Sequence, residues 1–82
     1  MARHEVVSPI PGTFYRRPDP SSEPFATEGQ AVGAQDTLCL AEVMKNFHSV
    51  PAGVAGTVVA FLVTNEDVVS AGQPVVVIED GA

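Results

Sequence analysis

Lys45 is the only lysine in this 82-residue chain, and its primary amine is the group best suited to covalent chemistry. It lies between two runs that favour β-strands, residues 38–41 and 49–50, so we expect it at an exposed hairpin tip that another protein can reach. Its neighbours Met44 and Phe47 are apolar, and apolar side chains on a protruding turn indicate a surface that is contacted. A turn lysine is also commonly a solvated charge alone, so both interpretations stay open at this point.

The other reactive side chains do not form a recognisable catalytic or metal site. Cys39 is the single cysteine, lies in the apolar run 38–40 and is expected to be a buried small hydrophobe. His4 and His48 are the only histidines, and His4 stands beside an N-terminus that we expect to fray. A zinc site of ordinary ligand number therefore has no visible source. We predict neither catalytic residues nor a metal site.

Composition limits the classes of protein. A chain of 82 residues is long enough for one domain, and we take residues 1–82 as that domain. The formal net charge of -6 and the pI near 4.5 disfavour nucleic acid and anionic membranes, and favour partners with basic surfaces. No apolar stretch is long enough to span a bilayer, and residues 1–5 lack the apolar segment of a secretory signal. The sequence predicts a soluble, cytoplasmic protein.

The two halves of the sequence resemble each other. Residues 12–14 (Gly-Thr-Phe) correspond to residues 56–58 (Gly-Thr-Val), 44 positions later, whereas residues 32–42 correspond to residues 69–79, 37 positions later. The difference places seven extra residues in the first half, between positions 12 and 32. The segment 16–25 holds three prolines, which remove backbone donors and disfavour both helix and sheet. We expect this segment to form a loop that projects from one half only.

Short apolar runs predict an all-β fold. Strand-forming residues are concentrated in five runs separated by Gly, Pro, Asn or Asp, at residues 6–7, 13–15, 37–41, 57–63 and 75–78. No segment combines the apolar spacing and caps of a helix over ten or so residues. Two β units with one apolar face each are expected to pack those faces together, as a flattened barrel or sandwich with pseudo-two-fold symmetry. The connection between the halves then falls at residues 43–48.

The residues around Lys45 resemble the attachment motif of biotinyl domains. Glu42-Val43-Met44-Lys45 is similar to their Ala/Val-Met-Lys sequence, in which the lysine carries biotin. Further segments fall in the order and spacing of the biotin carboxyl carrier subunits of bacterial-type acetyl-CoA carboxylases, namely residues 8–16, 29–32, 36–39 and 56–58. The similarity covers residues 5–79. In that family a proline-bearing insertion forms a thumb that leans toward the biotin, and residues 18–25 are similar in place and length.

The resemblance implies a flattened barrel-sandwich hybrid of two pseudo-symmetric four-stranded halves with a protruding thumb, acting as a non-catalytic carrier. Biotin bound covalently to Lys45 would carry carboxyl from biotin carboxylase to a carboxyltransferase that acts on acetyl-CoA or another acyl-CoA, in fatty acid biosynthesis. A biotin protein ligase would attach the biotin. The implied recognition residues are Glu42, Val43, Met44 and Asn46, and the implied thumb residues are Arg17, Pro18, Asp19 and Pro20.

Two positions depart from the pattern of that family, and two other classes stay open. Asn46 follows the lysine where the family usually has Met or another apolar residue, and Arg17 stands at the base of the thumb, where a small hydroxyl residue would be unsurprising. A lipoyl carrier shares the fold and the hairpin lysine, but its lysine usually follows Asp and often precedes Ala. An unmodified interaction module of the same fold is the second alternative, and Asn46 favours it.

Overall fold

The described residues form eight β-strands and no helix, which confirms the predicted all-β class. The structure is a computed structural model that describes residues 2–17 and 21–80. In these ranges no helix is long and apolar enough to cross a membrane. The strands are β1 (Ala2–Val7), β2 (Gly12–Tyr15), β3 (Ala31–Val32), β4 (Thr37–Val43), β5 (Asn46–Pro51), β6 (Gly56–Phe61), β7 (Val68–Val69) and β8 (Pro74–Asp80).

The strands form two antiparallel sheets of four strands each. One sheet has the order β1-β8-β6-β3 and the other has the order β5-β4-β2-β7. Neither sheet closes on itself, so the fold is a sandwich and not a closed barrel. The sequence halves are also not separate sheets, as the packing of two β units had suggested, because each sheet takes two strands from each half. This exchange arises because the last strand of each half pairs with the first strand of the other, β4 with β5 and β8 with β1.

The predicted pseudo-two-fold symmetry is confirmed strand by strand. β1 and β2 correspond to β5 and β6 at an offset of 44 residues, and β3 and β4 correspond to β7 and β8 at an offset of 37. Burial follows one pattern in β4 and β8, which have the same succession of buried and half-buried positions. The seven extra residues of the first half therefore lie between β2 and β3, as the comparison of the halves predicted.

The loop between β2 and β3 is closed at its base by the backbone. The Phe25 N–H donates a hydrogen bond of 2.9 Å to the carbonyl of Arg16. Pro18, Asp19 and Pro20, which belong to the predicted thumb, lie outside the described residues. The projection of the thumb toward the lysine therefore stays a prediction.

The core lies between the two sheets and consists of small and medium apolar side chains. Its largest fully buried members are Phe14, Leu38, Val58, Val69, Val75, Val76 and Ile78. Each such side chain contributes about 1.5–3 kcal/mol when it is removed from water. Cys39 is fully buried among them, and its burial raises the pKa of the thiol to about 12. The prediction that Cys39 is a buried hydrophobe is confirmed, since a thiol with that pKa remains protonated at neutral pH.

The N-terminal strand differs from the sequence-based expectation. Fraying was expected beside His4, whereas β1 begins at Ala2 and pairs with β8 from its first residue. His4 Nε2 lies 2.8 Å from Asp80 Oδ2, and this contact ties the start of β1 to the end of β8. The apolar pattern missed this part of the strand because Arg3, His4 and Glu5 are polar and wholly or partly exposed, so pairing with β8, and not a buried apolar face, defines it.

Candidate functional site

Lys45 lies in a two-residue turn between β4 and β5. The last pair of the ladder joins Val43 to Asn46, so only Met44 and Lys45 form the turn, a tighter connection than the predicted residues 43–48. Met44 has φ 52° and Lys45 has φ 66°, and positive φ at both central residues is typical of type I′ hairpins. Such turns favour Asn-Gly, because residues other than Gly, Asn and Asp cost about 1–2 kcal/mol in this left-handed region. The hairpin therefore holds its lysine in a turn that the residue types alone do not favour.

The Lys45 side chain faces solvent at this tip. Lys45 is exposed, and Met44 beside it is 88% exposed. Within the described ranges no carboxylate pairs with the Lys45 ammonium and no carbonyl accepts a hydrogen bond from it. The amine is therefore accessible to a modifying enzyme without the loss of an existing interaction.

Asn46, which departs from the family motif, has a local role in the turn. Its side-chain Nδ2 lies 3.4 Å from the carbonyl oxygen of Met44 and donates a hydrogen bond to it. This bond spans Lys45 and joins the first strand residue after the turn to the first residue of the turn. A solvent-exposed bond of this length stabilises the turn only modestly.

Glu42 belongs to a cluster on the exposed face of the same sheet. It lies directly opposite Phe47 across the β4–β5 pair, and its Oε1 accepts a hydrogen bond of 3.1 Å from the Tyr15 hydroxyl on β2. The Tyr15 and Phe47 rings are tilted, with centroids 6.0 Å apart. The hydrogen bond to Glu42 is the main cause that raises the pKa of Tyr15, and desolvation and the charges of Glu42 and Glu66 raise it further. We call Tyr15, Glu42 and Phe47 the aromatic–acid patch.

The base of the predicted thumb is fixed to the second half of the chain. The Arg16 guanidinium lies 3.9 Å from the centroid of the Phe61 ring, and the Arg16 N–H donates a hydrogen bond of 2.9 Å to Asn65 Oδ1. Arg17 follows it and is half-buried, and its Nε is shielded from solvent without a hydrogen-bond partner. The structure thus places the predicted recognition residues together on the β4–β5 hairpin, namely Glu42, Val43, Met44 and Asn46 around Lys45. Arg17 lies at the base of the loop, and Pro18, Asp19 and Pro20, which follow it, lie outside the described residues.

Sequence reasoning missed Tyr15 as a member of this surface. The signal was the alternation in β2, where Phe14 is buried and Tyr15 lies on the opposite face. The alternation gives the face but not the neighbour, because the Tyr15–Glu42 bond depends on the register of β2 against β4, in which Tyr15 pairs with Leu40. No group of three or more His, Cys, Asp or Glu side chains that could hold a metal ion occurs in the described part of the chain.

Residues 4–78 match the family described as "Biotin-requiring enzyme". The chain is 40% identical over 79 residues to the biotin carboxyl carrier protein of acetyl-CoA carboxylase from Haemophilus influenzae. This alignment covers 96% of this chain and 51% of that protein. It is 44% identical over 69 residues to the protein of the same name from Pseudomonas aeruginosa, in an alignment that covers 84% of this chain and 44% of that protein. The chain thus spans about half the length of the curated relatives it matches.

Two solved structures share the fold over nearly the whole chain. A crystal structure of Kluyveromyces lactis urea carboxylase matches with a TM-score of 0.81 and 32% identity, over 96% of this chain and 6% of that one. A single-chain, multi-domain long-chain acyl-CoA carboxylase matches with a TM-score of 0.79 and 28% identity, over 98% of this chain and 7% of that one. These matches confirm the resemblance that the motif around Lys45 indicated.

Proposed function

Because this chain belongs to the family of biotin-requiring enzymes, we propose that it is a biotin carboxyl carrier domain and that Lys45 is its site of covalent attachment. One observation carries this assignment: the only lysine of the chain is exposed at the tip of a two-residue turn and has no ion-pair partner among the residues that the structure describes. The residues fit the cofactor, since amide formation needs a free primary amine and the turn holds that amine clear of the sandwich. The whole chain acts as one biotinyl domain in this proposal.

The protein contributes an attachment point and a fixed position to the chemistry of the carrier. When attached, biotin supplies the ureido nitrogen that accepts and releases the carboxyl group. Lys45 contributes its Nζ to the amide and its flexible stem to the reach of the arm, and amide formation removes its positive charge. The β4–β5 hairpin contributes a fixed point from which the arm extends. The chain itself provides position and not catalysis.

The partners follow from this role. Biotin carboxylase and a carboxyltransferase acting on acetyl-CoA or another acyl-CoA would use the same arm in turn, in fatty acid biosynthesis in the cytoplasm, and a biotin protein ligase would attach the cofactor. Tethering the reacting group to a domain that docks at both enzymes replaces a search through solution by a local encounter. The net charge of -6 favours partners with basic docking surfaces. Glu42, Val43, Met44 and Asn46 flank the lysine and would be read by the ligase.

The thumb is part of the proposal. We infer that residues after Arg17, including Pro18, Asp19 and Pro20, lean toward the attached biotin. Support comes from the seven-residue insertion between β2 and β3, which its pseudo-symmetric counterpart lacks, and from the backbone bond that closes its base. Among the described residues, the Nε of Arg17 at the base of the loop has no hydrogen-bond partner, and we infer that it can serve as a donor to the attached biotin.

A carboxyl-labelling experiment tests the function. The chain is purified from a host with an active biotin protein ligase and incubated with biotin carboxylase, ATP and radiolabelled bicarbonate. We expect label on the wild-type chain and none on Lys45→Arg, which keeps the charge and lacks a nucleophilic amine. A later addition of carboxyltransferase and acetyl-CoA should remove the label. A fully biotinylated wild-type chain that takes up no label would contradict the proposed carrier function.

A further inference from the structure

The internal two-fold provides a comparison for the aromatic–acid patch. Glu42 corresponds to Glu79 at an offset of 37 residues, and Phe47 corresponds to Arg3 at an offset of 44. The two pairs have the same geometry, because Phe47 lies directly opposite Glu42 and Arg3 lies directly opposite Glu79. Any difference between the two places is therefore a difference of side chains on equivalent backbones.

The carboxylate is neutralised at one place and not at the other. Arg3 Nε lies 3.4 Å from Glu79 Oε2, so this acid is paired with a cation on the opposite strand. In the part of the chain that is described, no cation lies within ion-pair distance of Glu42, which accepts its hydrogen bond from the neutral Tyr15 hydroxyl. Among the described residues, Glu42 near Lys45 thus carries a negative charge without a cationic partner, whereas its two-fold counterpart Glu79 is in an ion pair with Arg3.

The presence of Phe47 at the position equivalent to Arg3 also exposes an aromatic ring. Phe47 is 56% exposed although it is large and apolar, and its ring lies at a tilt to the ring of Tyr15 on β2. An aromatic pair beside an acid that lacks a cationic partner is typical of a protein-docking surface, because aromatic side chains are enriched at interfaces and among their anchors. The two-fold comparison indicates that Phe47 serves the hairpin and not the sheet, since the equivalent β1–β8 pair forms with Arg3 in its place.

The length of the Lys45 side chain before modification indicates which partner contacts the aromatic–acid patch. An enzyme that acylates Lys45 must bring its active site to the end of one lysine side chain, so its surface must touch the residues around the hairpin. A partner visited through the longer biotinylated arm is not constrained in this way. Phe47 is two residues after Lys45 and Glu42 is three residues before it. The patch therefore lies in the contact area of the modifying enzyme.

We propose that Phe47, backed by Tyr15, is the anchor that enters an apolar pocket of the enzyme that acylates Lys45, next to a cationic side chain that pairs with Glu42. This inference rests on the proposed biotin attachment. Phe47→Arg recreates the Arg3–Glu79 arrangement, so the sheet is preserved while the anchor is lost and the acid is neutralised. Loss of a buried aromatic anchor typically weakens binding about 30-fold or more, and the KM of the ligase for this chain should rise by that factor with little change in kcat.

The experiment measures ligase kinetics with purified chain, biotin and ATP. Phe47→Arg and a second variant, Phe47→Thr, are compared with Arg3→Phe, the control that places an aromatic ring at the equivalent position of the other sheet. We expect a raised KM for both Phe47 variants, a wild-type KM for Arg3→Phe, and recovery in Phe47→Tyr, which keeps the ring. Thermal melting by circular dichroism verifies that each variant is folded.

The outcomes separate this inference from the proposed function. Complete modification of Lys45 with an unchanged KM in both Phe47 variants would overturn the anchor while leaving the biotin assignment in place. A KM that is unchanged for the ligase but raised for biotin carboxylase, with the biotinylated variants as substrates, would assign the patch to the carboxylase and also overturn the inference. A wild-type chain that ligase never modifies would contradict both.

Discussion

Gly12→Ala should destabilise the sandwich next to the hairpin. Gly12 is the first residue of β2, and a Cβ atom at this position would lie 2.3 Å from the Glu42 carbonyl oxygen and 2.9 Å from the Glu42 carbonyl carbon. Both atoms belong to the backbone of β4, so the clash cannot be relieved by rotating a side chain. β2 must instead move away from β4, the strand that leads to Lys45.

The magnitude follows from this overlap. Overpacking of a well-packed interior typically costs about 1–3 kcal/mol, and we expect the upper part of that range because the opposing atoms are backbone. The smaller conformational freedom of alanine in the unfolded chain returns only about 0.4–1 kcal/mol. A net loss of about 2 kcal/mol lowers the Tm of a domain of this size by roughly 8–16 °C. The variant should still fold, since a chain of this length is typically stable by about 4–12 kcal/mol.

Two other glycines serve as matched controls in urea unfolding followed by far-ultraviolet circular dichroism. Gly56→Ala is the two-fold equivalent, with a Cβ 2.4 Å from the Glu79 carbonyl oxygen, and should lose a similar free energy of unfolding. Gly33→Ala has its nearest contact at 3.8 Å, to Asp36 Oδ2, and should be neutral or slightly stabilised. Of the two destabilised variants, only Gly12→Ala should also slow biotinylation. A Gly12→Ala protein as stable as Gly33→Ala would refute the close approach of β2 and β4.

Three further predictions concern the patch, the core and the loop. Tyr15 is the only tyrosine and the chain has no tryptophan, so the phenolate absorbance should titrate with a pKa above 10.0, and Glu42→Ala should lower that pKa. Because the pKa of Tyr15 is raised in the folded state, the stabilisation from the protonated hydroxyl is complete below pH 10 and is lost as the pH rises through the folded-state pKa. Cys39 should resist alkylation at pH 8 in the folded protein and react fully in urea, since its thiol pKa is about 12; rapid labelling of the folded chain would contradict its burial. Deletion of residues 18–24 should leave cooperative unfolding intact, because Phe25 already bonds to Arg16, while the ureido proton shifts of the biotinylated domain move toward those of free biocytin; unchanged shifts would show that the loop does not touch the ring.

The sequence comparison of the halves predicted the two-fold and the site of the insertion because a repeat preserves spacing. Equivalent strands differ by 44 residues before the insertion and by 37 after it, and no side-chain contact is needed to see this. The attachment hairpin was predictable for a related reason, since a lone lysine between two strand-forming runs lies at the repeat centre. Its tightness was not predictable, because the residue types of Met44 and Lys45 disfavour the positive φ that both adopt.

The exchange of strands between the sheets and the aromatic–acid patch depend on long-range pairing. Periodicity shows which face of β2 carries Tyr15, but only the register against β4 brings its hydroxyl to Glu42. β3 and β7 have two residues each, too few for an alternation to be visible. β1 was underestimated at its start because polar, exposed residues form it, and its pairing with β8 cannot be inferred from local composition.

The most direct test of the account is the intact mass of the chain after expression with an active biotin protein ligase. We expect one added biotin on the wild-type chain, located at Lys45 by peptide fragmentation, and no addition on Lys45→Arg. The sharper control moves the only lysine to the exposed strand β1, as the double substitution Arg3→Lys with Lys45→Arg, which keeps composition and charge. This variant should also remain unmodified, because its lysine is not in the turn. A lipoyl mass, an unmodified wild-type chain, or biotin on the relocated lysine would contradict the assignment of the hairpin as a biotin-attachment site.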